Sequence, residues 1–490
     1  MPVDLSKPAE QVSVDAAGYQ PMFQNLQGNI LKAHGRNSAW HLFLKFKGTP
    51  ANVRKWIREQ VAPKLFTAAV QYDQARQRRA NPAFDGGLIT LFFLSSAGYR
   101  FLGLDPNKLL SQPFRRGMKD RSDGLSEISS TNNKDPKKEQ WEAGFQQEIH
   151  ALLAIADDDP TEGRLQTALN AAQTQLNGIA DIVAVEKGKV LRRPNADTPD
   201  PTDFEPIEHF GYFDGISQPL FTVEDVNTYY DKKIGTRGAS AWKPHASLDL
   251  VLVDDPFTEA ADAFGSYFVF RKLGQDLATF EQRVSACAAA IGATGDLAGA
   301  MAVGRFKDGT PVVKHDQPVV EYDNDFMFDE LDEDGFACPR HAHIRKVNPR
   351  GTTPMTSLEE ERKRRIVRRG IPYGKPHPSI GCDPAISSNG ANEQRGLLFM
   401  CYQASIKKQF EFIQRTWVDN PNFPVSLLNP FAQDTGDDPL IGQDRDEAQR
   451  WPKKWGDPSA GRKAFNFEAA ITLKGGEYFF APSKPFLAAL

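Results

Sequence analysis

The chain has 490 residues and a mass of 54.5 kDa, long enough for two or three packed domains and a sizeable buried site. Its 40% hydrophobic and 25% charged residues match an ordinary soluble protein, and a formal net charge of -4 gives no reason to expect nucleic acid. The four cysteines, Cys287, Cys338, Cys382 and Cys401, stand too far apart for zinc spacing and are too few for a disulfide scaffold, so free thiols in a reducing compartment are expected.

The opening "MPVDLSKPAEQVSVDAAGYQ" has no basic n-region and no apolar h-region, and no run reaches membrane-spanning length. The expectation is a cytoplasmic chain without a membrane, a processed secreted form remaining open. "WHLFLKFKG" (Trp40 to Gly48) alternates Leu42, Leu44 and Phe46 on one face, which predicts a strand. Thr49 and Pro50 suit the cap and first position of a helix with Val53, Trp56, Ile57 and Val61 on its apolar stripe. Strands are expected at Leu88 to Ser96, His150 to Asp158 and Asp181 to Leu191, with a helix marked by Leu165, Leu169, Ala172 and Leu176 before the last of them. A similar order returns with Leu248 to Asp255, Ser266 to Leu273, a helix near Leu277 to Ala290, "GLLFMCYQ" (Gly396 to Gln403) and a helix through Ile406, Phe410 and Ile413. The architecture therefore reads as duplicated, with the proline-rich, acidic stretch from Arg193 to His209 as linker. The stretches from Pro106 to Glu142 and from Trp417 to Lys463 read as surface insertions or wrapping segments.

Four stretches could carry chemistry. "GYFDG", ending at Gly215, is by itself an Asp-Gly turn, yet it places an acid among aromatics and aliphatics. "CPRHAHIRKVNPR" (Cys338 to Arg350) sets His341 and His343 beside a basic run, either as a surface loop or as a metal ligand with cations near the carboxylates of a cofactor. No neighbouring group completes a zinc site, and a single histidine points to haem, whose porphyrin supplies four ligands itself. In "RKRRIVRRGIPYG" (Arg362 to Gly374) most arginines are expected on a solvated helix face, with Arg368 the one to point inward. "RGLLFMCYQ" (Arg395 to Gln403) reads as a core strand with Leu397, Phe399 and Cys401 on one face.

In this order, "GYFDGISQP", "CPRHAHIRKVNPR", "RIVRRGIPYG" and "RGLLFMCYQ" resemble the dye-decolourising peroxidase family, and "NLQGNILKAHGR" (Asn25 to Arg36) resembles the opening of its longer members. The resemblance implies an α+β fold of two ferredoxin-like domains, residues 1–200 and 201–490, with antiparallel sheets, peripheral helices and one haem b per chain in the C-terminal half. It implies His343 as iron ligand, Asp214 and Arg368 as the distal acid and arginine, and Leu397 and Phe399 over the distal face. Gly215, Ile216 and Ser217 would lie against the haem, and Asn348 and Arg350 near its propionates. An acid would bond the proximal imidazole, with Asp438 preferred to Asp437.

The implied activity reduces hydrogen peroxide and oxidises dyes, phenols or other aromatic reductants through a ferryl radical intermediate. Asp214 would carry a proton between the two peroxide oxygens, and a carboxylate base implies best activity at acidic pH. Large dyes would need a surface aromatic to pass electrons, with Tyr373, Trp417, Trp451 and Trp455 as nominees. A haem storage, delivery or sensor protein is the alternative; it would need His343 but not Asp214 and Arg368 together. A metal-free α+β scaffold would make four ordered matches accidental.

Overall fold

The computed structural model describes residues 3–122, 135–194, 204–231, 242–320, 322–353, 356–382, 394–424, 435–443 and 448–490. The alternating run at Trp40 forms strand β1 (Ser38–Phe46), buried along almost its whole length. Thr49 then stops the extended backbone: its hydroxyl accepts the Asn52 N–H at 3.3 Å, and Pro50 opens helix α1 (Pro50–Trp56) where its missing N–H costs nothing. Strands β2 (Ile89–Ser95) and β3 (Ala151–Asp157), helix α2 (Gly163–Gln175) and strand β4 (Ala180–Lys189) complete the first unit. Its order is β2-β3-β1-β4 with every pairing antiparallel, which is the ferredoxin-like arrangement.

The second half repeats that order. Strand β5 (Phe264–Gln275) leads into α3 (Leu277–Ile291), capped by Asp276 accepting the Thr279 N–H at 3.0 Å. Strands β6 (Ile371–Tyr373), β7 (Gly396–Gln403) and β8 (Ile471–Ala481) follow, and the sheet order is β6-β7-β5-β8, again antiparallel. Tyr373 of β6 pairs with Gly188 of β4, and Phe479 and Phe480 of β8 pair with Ser95 and Leu94 of β2, so the two four-stranded units close into one ring. Its interior is aromatic. Phe43 meets Phe270 edge-on with centroids 4.7 Å apart, and Phe93 stacks on Phe268 at 4.4 Å.

Several segments depart from the sequence expectation. Leu248 to Asp255 is a 3-10 turn, Leu248–Leu250, and a two-residue strand, Val253–Asp254, because its leucines are buried by packing around a turn, and a short apolar run does not by itself choose between strand and turn. Only Leu358–Arg362 is helical in the arginine-rich stretch, and Val367 onward is extended, so the solvated-helix reading fails there. β6 and β8 add to the expected strands: Pro372 masks the first, and a register shift between Leu473 and Gly475 interrupts the second. Both ends of the expected linker form a ribbon, Leu191–Pro194 against Phe204–Ile207; its middle lies outside the described residues. The N-terminal segment packs on the second half, with Asp249 N–H donating to Leu5 O and Val223 N–H to Val12 O, each at 3.0 Å. Among the described residues no single helix is long and apolar enough to cross a membrane.

His41 and His209 are buried, and desolvation pushes each imidazole down to about 4. The unfolded chain binds their protons near pH 6.5 while the fold does not, so stability present above that pH is lost as pH falls toward 4. Each contributes on the order of 1 kcal/mol of destabilisation at pH 5.5 relative to neutral pH. Urea unfolding of the His41→Gln variant at pH 7.5 and 5.5 should show a pH difference smaller than wild type by about that amount.

Candidate active site

The site is assembled on the face of β5 and β7 that points away from the ring interior. Phe399 pairs with Arg271 and Leu397 with Leu273, so these four share that face, while Leu398, Met400 and Tyr402 face the other way. The short strand Val367–Arg368 pairs with the far end of β7, Arg368 opposite Cys401, which puts Arg368 on the same side as Leu397 and Phe399. Arg368 therefore faces the cavity, but it is not the one inward arginine of its stretch: Arg365 and Arg369 line the same cavity and donate to backbone carbonyls.

Asp214 reaches Arg368 from the segment that follows the ribbon. Its N–H donates to Pro206 O at 3.0 Å, and Phe213 N–H donates to Lys307 O at 3.1 Å. Gly211 and Gly215 have φ of 88° and 92°, conformations that only glycine takes without strain, which is why the acid stands between two glycines. Arg368 Nη1 donates to Asp214 Oδ1 at 3.3 Å and Nη2 to Ser217 O at 3.2 Å. Both side chains remain partly open, at 40% and 38% exposure, because they face a cavity rather than each other's backbone.

Opposite elements supply the histidine. Helix α4 (Gly295–Val303) ends at Gly304, over which Ile344 packs, and the short helix α5 (His343–Val347) begins at His343. The turn before it is wound on Asp332, whose carboxylate accepts the N–H groups of Phe336, Ala337 and Cys338 at 2.7 to 3.1 Å and bonds Arg345 at 3.3 Å. His343 Nδ1 meets Asp438 Oδ2 at 2.8 Å, and Asp438 Oδ1 is fixed by the N–H groups of Leu440 and Ile441. The pair leaves the other imidazole nitrogen for the cavity.

His341, two residues earlier, does not share that orientation, because the segment turns into a helix instead of running as a strand. It is fully buried against Trp451, ring centroids 4.3 Å apart, and burial pushes it well below the usual histidine range. Arg345 and Lys346, expected near a cofactor's carboxylates, are also fully buried and held elsewhere, Lys346 by the carbonyls of Trp417 and Asn420. Tyr373, Trp417 and Trp451, nominated as surface aromatics, are all buried; only Trp455 is half-buried.

A cavity of about 570 Å³ is lined by Asp214, Gly215, Ile216, Ser217, His343, Asn348, Arg350, Arg368, Leu397 and Phe399, with Asp438 just behind His343. That size lies within the range of roughly 300–1,000 Å³ for ligand pockets. Walls that the sequence reading missed come from Phe410, Ile413, Leu440 and Ile441. Arg305, also missed, and Arg350 are buried guanidiniums that hydrogen-bond carbonyl and amide oxygens around Asn324, and burial pushes them down to about 10 and about 9. Such cations favour an anionic neighbour. Among the described residues no cluster of three histidine, cysteine or acidic side chains could hold a metal ion. A single imidazole over apolar walls, with buried cations in the lining, fits a porphyrin carrying its own nitrogen ligands and two carboxylates.

Residues 233–437 match the family model described as Dyp-type peroxidase, C-terminal. The chain is 36% identical over 500 residues to the multifunctional dye peroxidase DyP2 of Amycolatopsis sp., covering 100% of both chains. The solved structure of that protein superposes with a TM-score of 0.87 over 100% of both chains at 35% identity. A DyP-type peroxidase from Anabaena sp. superposes with a TM-score of 0.82 at 40% identity, covering 96% of this chain and 95% of the other. A dye-decolorizing peroxidase of Mycetinis scorodonius is 32% identical over 79% of this chain and 74% of its own length.

Asp332→Ala would leave the Arg345 charge buried without its carboxylate and three N–H groups without their acceptor. Denaturant unfolding should show a loss of about 3–5 kcal/mol. A loss below about 1 kcal/mol would mean that the turn holds without it.

Proposed function

The chain belongs to the dye-decolourising peroxidase family, whose peroxidases are haem enzymes, and from that premise we propose that it binds one haem b with His343 as the iron ligand. The observation that carries this reading is a carboxylate-bonded imidazole and an Asp–Arg pair lining one cavity. Bound there, haem supplies the iron at which peroxide is reduced and the oxidising equivalents delivered to a reductant.

The residues divide the remaining work. Asp214 would accept a proton from one peroxide oxygen and return it to the other, which would leave as water. Arg368 stabilises the negative charge that grows as the O–O bond breaks, a preorganised contribution of roughly 3–4 kcal/mol for one donor. The carbonyl of Ser217 and the Asp214 carboxylate hold the guanidinium in place. Asp438 fixes the imidazole tautomer and makes the other nitrogen more electron-donating, which favours oxidised iron. Leu397 and Phe399 would keep the space above a bound porphyrin apolar, Gly215, Ile216 and Ser217 would line it, and Arg350 and Asn348 would meet its carboxylates.

Dyes, phenols and other aromatics are the reductants we assign. Phenols approach the cavity directly, and Trp455 is the nominee for dyes, being the half-exposed member of the four aromatics. The domain limits we assign are 1–200 and 201–490, supported by four strands in the same order on either side. The buried thiols of Cys287, Cys338 and Cys401 favour a reducing compartment such as the cytoplasm.

Stopped-flow spectra after one equivalent of hydrogen peroxide test the reading. Asp214→Asn should bind haem with an unchanged Soret band and react about 10²- to 10⁴-fold more slowly than wild type. A wild-type Soret band that ignores peroxide would leave a haem carrier or sensor instead. Spectroelectrochemical titration of Asp438→Asn should give a more positive haem reduction potential. An unchanged potential would remove Asp438 from that role.

A further inference from the structure

We propose that Glu208 is a positioning residue for Asp214: its carboxylate is the point on which the 208–214 loop is wound, and it stands as a second acid in the cavity that Asp214 lines. The inference rests on the reading of Asp214 as proton carrier and adds a second acid to it.

The geometry is specific. Glu208 Oε2 accepts the Phe210 N–H at 2.9 Å and Oε1 the Tyr212 N–H at 3.0 Å. The backbone closes the same loop, with Glu208 N–H donating to Tyr212 O at 3.1 Å and Gly211 N–H to Glu208 O at 2.8 Å. A third donor comes from another element: Gln275 Nε2, on the last residue of β5, reaches Oε2 at 2.6 Å. One side chain thus ties the Asp214 loop to the strand that carries Arg271 and Leu273 on the site face. Glu208 also lines the same cavity as Asp214.

The charges around it differ from those around Asp214. Arg368 bonds Asp214, Arg193 pairs with Glu205 and donates to Gly211 O, and Arg271 pairs with Asp135. Lys307 lays its alkyl stem against Gly211, and Arg395 acts on His209, whose Nε2 meets Tyr373 O. Glu208 is held by neutral N–H groups alone among these. Burial pushes its carboxyl up and the Asp214 charge adds to that, against the pull of its three N–H donors. The two carboxylates of one loop thus stand in different surroundings, Asp214 beside a guanidinium and Glu208 among neutral donors.

The test is the pH dependence of the peroxide reaction, by stopped flow on haem-loaded wild type, Glu208→Gln, Glu208→Asp and Asp214→Asn. Glutamine keeps the length and one acceptor oxygen but cannot ionise. In Glu208→Gln the limb on which the rate rises with pH should move down by about half a unit to one unit, the effect of deleting a neighbouring like charge. Glu208→Asp keeps the charge but is too short for all three donors, so it should hold the position of the limb and lower the plateau. A Glu208→Gln profile scaled by one factor at every pH, or an unmoved limb, would overturn the inference by showing a purely architectural side chain. The Asp214 reading fails separately: it falls if Asp214→Asn reacts as fast as wild type, whatever Glu208→Gln does.

Discussion

The register of β7 between its neighbours is the constraint on which the site depends. With a side-chain period of two, the pairing of Leu397 with Leu273 and of Cys401 with Arg368 sends Leu397, Phe399 and Arg368 to one face. Leu398, Met400 and Tyr402 go to the aromatic interior that joins the two halves. A slip of one residue would exchange the two sets and drive the guanidinium into the core. The buried face makes that slip prohibitively costly, so the forces that close the strand ring also aim the site.

The charges sort by their partners. Arg121 with Glu411, Arg271 with Asp135, and Arg345 with Asp332 are buried cations held by carboxylates, and they tie turns and loops to a helix or a strand. Breaking such a pair strands a charge in a poor solvent. The Asp214–Arg368 pair instead stays open to the cavity on both partners, so each keeps capacity for a ligand. The His343–Asp438 pair is asymmetric, with a fully buried carboxylate behind an imidazole that is 26% exposed. The buried member orients and the open member is left for chemistry.

The strands and helices with strong periodicity were legible in the chain: β1 with its Thr49 cap, β2, β3, β5 and β7 all lie within a few residues of their expected positions. Elements whose local signal conflicts with their fate were not. β6 carries a proline and follows six arginines and lysines, and only its pairing with β4 and β7 makes it a strand. Leu248 to Asp255 has the composition of a strand and is spent on a turn. Arg345 and Lys346 look like surface charge and lie fully buried, because their partners sit far away in the chain or on its backbone.

By itself the sequence determined the inventory: one acid between two glycines, a histidine pair in a basic run, an inward arginine and a core strand, in an order that resembles one family. Local chemistry suffices for this, since turn, cap and alternation are properties of neighbouring residues. The resemblance named His343, Asp438, Asp214 and Arg368, but only the tertiary structure supplies the contacts: His343 and not His341 lines the cavity, Asp438 bonds its Nδ1, and Asp214 meets Arg368 across 154 positions of chain. Those choices depend on contacts between residues distant in sequence, fixed by strand register and by the burial of each charge with its partner, and no local pattern encodes them.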